Sequence, residues 1–164
     1  MITITPLTPA QKRVGAHLVR GLTTSEIADE EQLSEDTVNS YIRGMRQNLH
    51  CPPRASRAVL AHALLSHQQV PPPPPPHQRP PLEPDEHDQR LLRAHADHTR
   101  PADIARAALL PTSHLRARTD DLVRRAGADN TTHLIALAHA WGLFSGPDAT
   151  APMQRQAEPS GAAR

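Results

Sequence analysis

A run of prolines divides this 164-residue chain near its middle. From Val70 to Pro84 the sequence reads VPPPPPPHQRPPLEP. Each proline ring fixes φ and removes an amide donor, so the run forms neither a helix nor an interior strand and is predicted to be a polyproline II spacer. An alternative role for the run is as a ligand for a proline-reading partner module.

The run implies two small domains, residues 1–67 and 82–144, joined by a linker of residues 68–81 and followed by a disordered tail of residues 145–164. From Val70 to Leu82, twelve residue steps reach about 37 Å in polyproline II geometry. An extended spacer of this length would hold the two domains apart.

The supply of apolar residues favours an all-α fold. Phe, Tyr, Trp and Cys occur once each, so Leu, Ile, Val and Ala must build any core, as they do in small helical bundles. No apolar run of about 18 residues is present, and the N-terminal sequence MITITPLTPAQ lacks the pattern of a secretory signal. We therefore predict an all-α, cytoplasmic protein that does not bind a membrane.

Helix-start signals recur through the first domain. Thr8-Pro9-Ala10-Gln11 supplies an N-cap, a proline in the first turn and a Gln that can close a capping box. Thr23-Thr24-Ser25-Glu26 offers a second capping box, with Thr23 as the N-cap and Glu26 as the closing residue. Ser34 is a good N-cap for a third helix. A fourth, broadly apolar helix is predicted over residues 55–65. The short second helix, a turn and the third helix would form a helix-turn-helix.

The third helix has two distinct faces. Apolar residues recur at spacings of four, three and four and gather on one side: Val38, Ile42, Met45 and Leu49. Polar residues point away from that side: Asn39, Ser40, Arg43, Arg46 and Gln47. One face is predicted to pack and the other to contact DNA. The alternative is an ordinary amphipathic surface helix.

The spacing of several short motifs resembles the LuxR-type (NarL-type) four-helix DNA-binding domain over about residues 7–65. These motifs are Leu7-Thr8-Pro9, Gly21-Leu22-Thr23, Glu26-Ile27-Ala28, and Ser34-Glu35-Asp36-Thr37-Val38 followed by Leu49. The resemblance implies a tetrahelical fold whose third helix enters the major groove of double-stranded DNA and whose fourth helix is available for dimerisation. It also implies a sequence-specific transcriptional regulator, and for such a regulator we expect association with the nucleoid.

The second half repeats the first at a constant spacing along the chain, so that position 27 corresponds to position 104. At this repeat offset Ile27-Ala28 reappears as Ile104-Ala105, Val38 as Leu115, Met45 as Leu122, and residues 58–63 as residues 135–140. We therefore predict a diverged second LuxR-like domain whose reading helix is PTSHLRARTDDLVRR. Successive major grooves on one face of B-DNA lie about 34 Å apart, so an extended spacer would hold the two reading helices about one helical turn apart. In that helix Pro111 replaces the capping Ser, and Asp120 and Asp121 add negative charge.

The predicted site residues follow from these helices. The predicted DNA contacts of the first domain are Thr37, Asn39, Ser40, Tyr41, Arg43, Arg46, Arg54 and Arg57. Those of the second domain are Arg116, Arg118 and Arg124. Among them, Tyr41 and Arg46 are predicted to hold the DNA backbone, and Arg54 and Arg57 to contact phosphate. The resemblance and the apolar surface of the fourth helix predict a homodimer through Ala58, Val59, Ala61 and Leu64.

We predict no enzyme activity, cofactor or metal. His95 and His98 share a helix face, but a zinc site needs about four convergent ligands and the chain has a single Cys. No glycine-rich phosphate loop or nucleophile elbow is present. A formal net charge of +1 is small for a nucleic-acid binder. The alternative function is therefore a protein-interaction module, or an accessory factor docking on RNA polymerase or on another regulator.

Overall fold

The computed structural model describes residues 3–145, which form eight α-helices and no strand. The all-α prediction is confirmed for these residues, and the predicted tail lies outside them except for Ser145. The helices are α1 (Pro9–Val19), α2 (Thr24–Glu31), α3 (Glu35–Asn48), α4 (Arg57–Ser66), α5 (Glu86–Asp97), α6 (Pro101–Ala107), α7 (Thr112–Ala126) and α8 (Thr131–Ala140).

The predicted starts of the first three helices are confirmed, whereas the fourth helix, predicted from residue 55, begins at Arg57 with Ser56 as its N-cap. The Thr8 hydroxyl accepts a hydrogen bond from the Gln11 amide at 3.2 Å, and the Gln11 side chain accepts one from the Thr8 amide at 3.0 Å. Thr23 and Glu26 form the same reciprocal capping box at the start of α2. Ser34 caps α3 by accepting from the Thr37 amide at 3.1 Å. These bonds satisfy amides that would otherwise lack partners in the first turn of each helix.

The apolar face predicted for α3 lies in a core shared with α1, α2 and α4. Val38, Ile42, Met45 and Leu49 are all buried there, as is Ile27 of α2. The side chains opposite that face remain at the surface. Packing of one stripe therefore fixes which residues of α3 face outward.

The second half contains four helices around its own core. Three of them, α5, α6 and α7, begin at Glu86, Pro101 and Thr112, which are the positions that the repeat offset assigns to the starts of α1, α2 and α3. The fourth does not keep this offset, which would place its start at position 134, whereas α8 begins at Thr131. The connection before α8 spans only residues 127–130, whereas the one before α4 spans residues 49–56. The predicted match of residues 58–63 to residues 135–140 is therefore out of register with the helix starts.

The two halves pack against each other through α4 and α8, which form the most extensive helix–helix contact in the described residues. Ala136 of α8 belongs to the first core, and Ala58 of α4 belongs to the second core. Two hydrogen bonds flank this contact. The Asn130 amide group donates to the Gly21 carbonyl at 2.7 Å, and the Ser56 amide donates to the Thr99 hydroxyl at 3.0 Å.

Packing within the chain buries most of the surface that we predicted to form a homodimer. Ala58, Ala61 and Leu64 are buried within the single chain, and Val59 is half-buried. A broadly apolar helix requires a partner, and here α8 of the same chain supplies it. Ala58 lies in the second core, whereas Ala61 and Leu64 lie in the first core, and the homodimer stays a prediction.

The proline-rich segment does not extend as a free spacer. Val70 is buried in the first core, Leu82 is buried in the second, and Pro73 between them is also buried. The segment turns at Pro76–Arg79, where the Arg79 amide donates to the Pro76 carbonyl at 3.3 Å. Both ends of the segment therefore lie in the two cores, and its predicted role, to hold α3 and α7 about one helical turn apart, stays a prediction.

A buried polar pair distinguishes the second core from the first. The Nε2 atom of His95 and the Thr119 hydroxyl are 2.9 Å apart, and both residues are buried. Their counterparts in the first half at the repeat offset, Leu18 and Ile42, are apolar members of the first core. Burial lowers the pKa of His95 to about 4, so this imidazole is neutral at pH 7.

Replacing both members of the pair with the apolar residues of the first half, in the variant His95→Leu/Thr119→Ile, tests this account. An unfolded His titrates near 6.5, so between pH 6.5 and 4 the unfolded parent takes up a proton that the folded parent excludes. Stability of the parent therefore falls as the pH is lowered through this window. The variant should lose about 1–2 kcal/mol less than the parent between pH 7 and pH 5, measured by urea unfolding. Identical losses would show that His95 is not held neutral by burial.

Candidate nucleic-acid interface

The outer face of α3 presents a compact set of polar side chains. Asn39, Ser40, Arg43 and Gln47 are exposed on it. No hydrogen bond or ion pair within residues 3–145 engages the Arg43 side chain. Its guanidinium is therefore available as a fork of donors, the geometry that recognises guanine edges and phosphates.

Two of the residues predicted to contact DNA from α3 are partly engaged within the protein. The Thr37 hydroxyl lies 2.8 Å from the Ser34 hydroxyl, and Thr37 is half-buried. Tyr41 packs against the first core and is also half-buried. These contacts limit the freedom of both side chains at the first two turns of the helix.

Arg46 lies at the edge of the same face. It is half-buried, and its buried Nε atom has no hydrogen-bond partner among residues 3–145. Burial lowers the pKa of Arg46, although a guanidinium stays charged in any ordinary environment. Its charge also acts on Arg57, whose pKa is lowered by burial and by Arg46. The two guanidinium groups therefore concentrate positive charge where α3 ends and α4 begins.

The two arginines predicted to contact phosphate at the start of α4 differ in their surroundings. Arg54 is exposed. Arg57 is half-buried, donates from Nη1 to the Leu22 carbonyl at 3.2 Å and bonds the Thr24 hydroxyl through Nη2. Arg57 therefore ties the start of α4 to the start of α2, while Arg54 is left accessible.

The second predicted reading helix, α7, carries more arginines, and several of them meet acidic side chains. Arg116, Arg118 and Arg124 are all exposed, which a contact with DNA requires. Arg116 lies 3.9 Å from Asp120, and Arg124 pairs with Asp121. Exposed ion pairs of this kind contribute little free energy and open readily.

Arg125, which we did not select from the sequence, has a structural role. Its Nη2 and Nη1 atoms donate to the Asp88 carboxylate at 2.7 and 3.0 Å, and the Asp88 side chain is only 7% exposed. These bonds raise the pKa of Arg125. The equivalent contact of the first half, at the repeat offset, joins the Asn48 amide to the Gln11 side chain at 3.3 Å. The fixed offset was the signal that could have revealed this pair.

The sequence analysis also missed a contact between two histidines at the packed helices. The Nδ1 atom of His62 on α4 lies 2.9 Å from the Nε2 atom of His139 on α8. The Phe144 ring lies 4.9 Å and 4.6 Å from the two imidazoles, centre to centre, and the Arg93 guanidinium lies 5.3 Å from the centre of that ring. Burial is the main cause that lowers both pKa values, that of His139 to about 4.

The remaining chemistry of the described residues is sparse. No group of three or more His, Cys, Asp or Glu side chains within residues 3–145 is arranged to hold a metal ion. Burial raises the pKa of the single thiol, Cys51. None of the eight helices is both long and apolar enough to cross a membrane.

Comparison with known proteins identifies the first half. Residues 5–62 match the family model GerE, bacterial regulatory proteins of the luxR family. The match spans α1, α2, α3 and the first part of α4, so a luxR-family helix-turn-helix domain is present there, and the resemblance seen in the sequence is confirmed over these residues. No curated protein and no solved structure matches the chain.

The different settings of Arg54 and Arg57 lead to a stability prediction. Arg57→Ala should lower the free energy of unfolding by about 1–3 kcal/mol, because the variant loses bonds to a carbonyl and a hydroxyl that are partly buried. Arg54→Ala, which removes the same charge from a nearby exposed position, should change it by less than about 0.5 kcal/mol. Urea unfolding of the two variants measures the difference. Equal effects would mean that Arg57 does not join α4 to α2.

Proposed function

We propose that this protein is a sequence-specific, double-stranded-DNA-binding regulator of transcription, acting on the nucleoid and reading DNA with α3. The observation that carries the proposal is the outward polar face of α3 on a luxR-family helix-turn-helix domain. Asn39 and Arg43 offer the side-chain groups that pair with adenine and guanine in the major groove. Proteins built on this domain are typically non-enzymatic, and we propose no catalytic role.

The small net charge makes the placement of charge decisive. With a formal charge of +1, attraction over the whole molecule is weak, so phosphate affinity must come from a local cluster. Arg43, Arg46 and Arg54 supply such a cluster along α3 and the connection that follows it. The acidic residues of α3, Glu35 and Asp36, lie in its first turn, where they stabilise the helix dipole.

Arg43→Ala provides the test. The parent protein first selects its preferred duplex from a random library, and the affinity of each variant for that duplex is then measured by fluorescence anisotropy. Arg43→Ala should lose about 1–3 kcal/mol of binding free energy while keeping its helical content. The matched control is Arg90→Ala, which removes the same charge from α5, where Arg90 pairs with Glu86 at 2.7 Å.

Two results would count against this proposal. If the parent enriches no sequence from the library, it is not a sequence-specific reader. If a folded Arg43→Ala variant binds as tightly as Arg90→Ala, α3 is not the reading helix.

We further propose that α5–α8 form a diverged second copy of the first domain. Three helix starts share one offset, and capping boxes open both α1 and α5. In both halves, a side-chain hydrogen bond joins the first helix to the third at equivalent positions. The pair is neutral in the first half, Gln11 with Asn48, and charged in the second, Asp88 with Arg125. Both members of this pair differ between the halves while their contact is retained, which supports an origin of the two halves from one ancestral domain.

The double variant Asp88→Gln/Arg125→Asn tests this equivalence by placing the pair of the first half into the second. Arg125→Asn alone should cost about 1–2 kcal/mol, because the Asp88 carboxylate is buried and loses its partner. The double variant should recover most of that loss, since Gln can close the capping box of α5 as Gln11 does in α1. Urea unfolding of the single and double variants forms a double-mutant cycle. Purely additive losses would argue against equivalent packing.

A second candidate function, docking on RNA polymerase or on another regulator, is favoured by the second half. Leu109, in the turn before α7, is 70% exposed, and the acidic residues Asp120 and Asp121 lie on α7 itself. An exposed leucine beside mixed charges suits a protein contact. In that case substitutions on α7 would leave DNA preference unchanged.

A further inference from the structure

We infer that a single chain reads a two-part DNA site whose halves are inverted relative to each other, with α3 on one half-site and α7 on the other. This inference rests on the proposed function of α3 and extends it to the second half. In it, the packing of α4 on α8 replaces the interface between two separate subunits.

The contacts between the halves are reciprocal, as they are in a symmetric dimer. The fourth helix of each half packs on the fourth helix of the other. The first helix of each half also packs on the fourth helix of the other, because α1 contacts α8 and α5 contacts α4. Each core takes in one alanine from the opposite half, Ala136 in one case and Ala58 in the other. Such reciprocity is the mark of an isologous interface with an approximate two-fold axis.

An approximate two-fold axis fixes the arrangement of the DNA halves. Reading helices related by a two-fold axis meet half-sites that are inverted, because the symmetry of the site mirrors that of the protein. Direct repeats would require the halves to be related by a translation, which the reciprocal contacts exclude. Because α8 already covers α4, no second chain is needed to complete the pair.

The two half-sites must differ in sequence. The positions that carry Asn39 and Arg43 on α3 carry Arg116 and Asp120 on α7, at the repeat offset. Asn pairs best with adenine, Arg with guanine, and Asp with the amino group of cytosine. Arg116 and Asp120 are both highly exposed and only loosely paired, at 95% and 71% side-chain exposure, so both are accessible to bases. The two half-sites are therefore inverted relative to each other and differ in sequence.

The first experiment alters the DNA, which avoids any effect on folding. The duplex selected by the full chain is compared with one in which the second half-site is scrambled and one in which about 5 bp, half a helical turn, is inserted between the halves. Both changes should lower affinity by at least about 10-fold, because the second half then no longer binds as part of the same molecule. Native mass spectrometry should find one chain on each duplex.

The second experiment alters the protein. Base preferences of Arg43→Ala and Arg116→Ala are measured on libraries randomised in one half-site at a time, with Arg90→Ala as the control. Each reading-helix variant should relax preference in its own half-site only, and circular dichroism confirms that each variant is folded.

The outcomes separate the two proposals. Two chains per duplex, selection of direct repeats, tolerance of the inserted half turn, or an unchanged preference in folded Arg116→Ala would each overturn the inference. If Arg43→Ala still weakened binding, the proposed function of α3 would stand. Failure of the parent to enrich any sequence would overturn both.

Discussion

The packing of α4 on α8 is the interaction on which the rest of the molecule depends. Ala58 of α4 is buried in the second core and Ala136 of α8 in the first, and small side chains at a helix contact allow the axes to approach closely. A helical unit of about 60 residues buries a limited fraction of its surface, so a shared interface adds apolar burial that neither half gains alone. The same contact determines where α3 and α7 stand relative to each other.

A polar pair lies within this mostly apolar interface. The imidazoles of His62 and His139 share one hydrogen bond, which requires a donor nitrogen on one ring and an acceptor on the other. Burial lowers both pKa values and thereby favours the neutral forms. Arg93 opposes protonation of both rings, whereas Asp97 favours protonation of His62 alone. A defined contact between these two rings favours one register of the two helices over others.

Much of the first half could be predicted from local chemistry. Capping residues such as Thr8, Thr23 and Ser34 act within one turn, so sequence alone located the starts of α1, α2 and α3. The apolar spacing in α3 likewise fixed its inner and outer faces. The partner of α4 could not be predicted, because an apolar helix surface indicates that something covers it without indicating what. The direction of Arg57 and the burial of Pro73 also depend on distant residues, and no local pattern encodes them.

The claim that α4 and α8 of one chain pack against each other is tested most directly by nuclear Overhauser effects between the ring protons of His62 and His139. The account predicts a cross-peak between these rings in uniformly labelled protein. In a mixture of labelled and unlabelled chains, an isotope filter selects contacts between a labelled chain and an unlabelled one. The account predicts no cross-peak in that filtered spectrum, since the contact lies within one molecule. A cross-peak that survives the filter, or no cross-peak in either sample, would contradict the account.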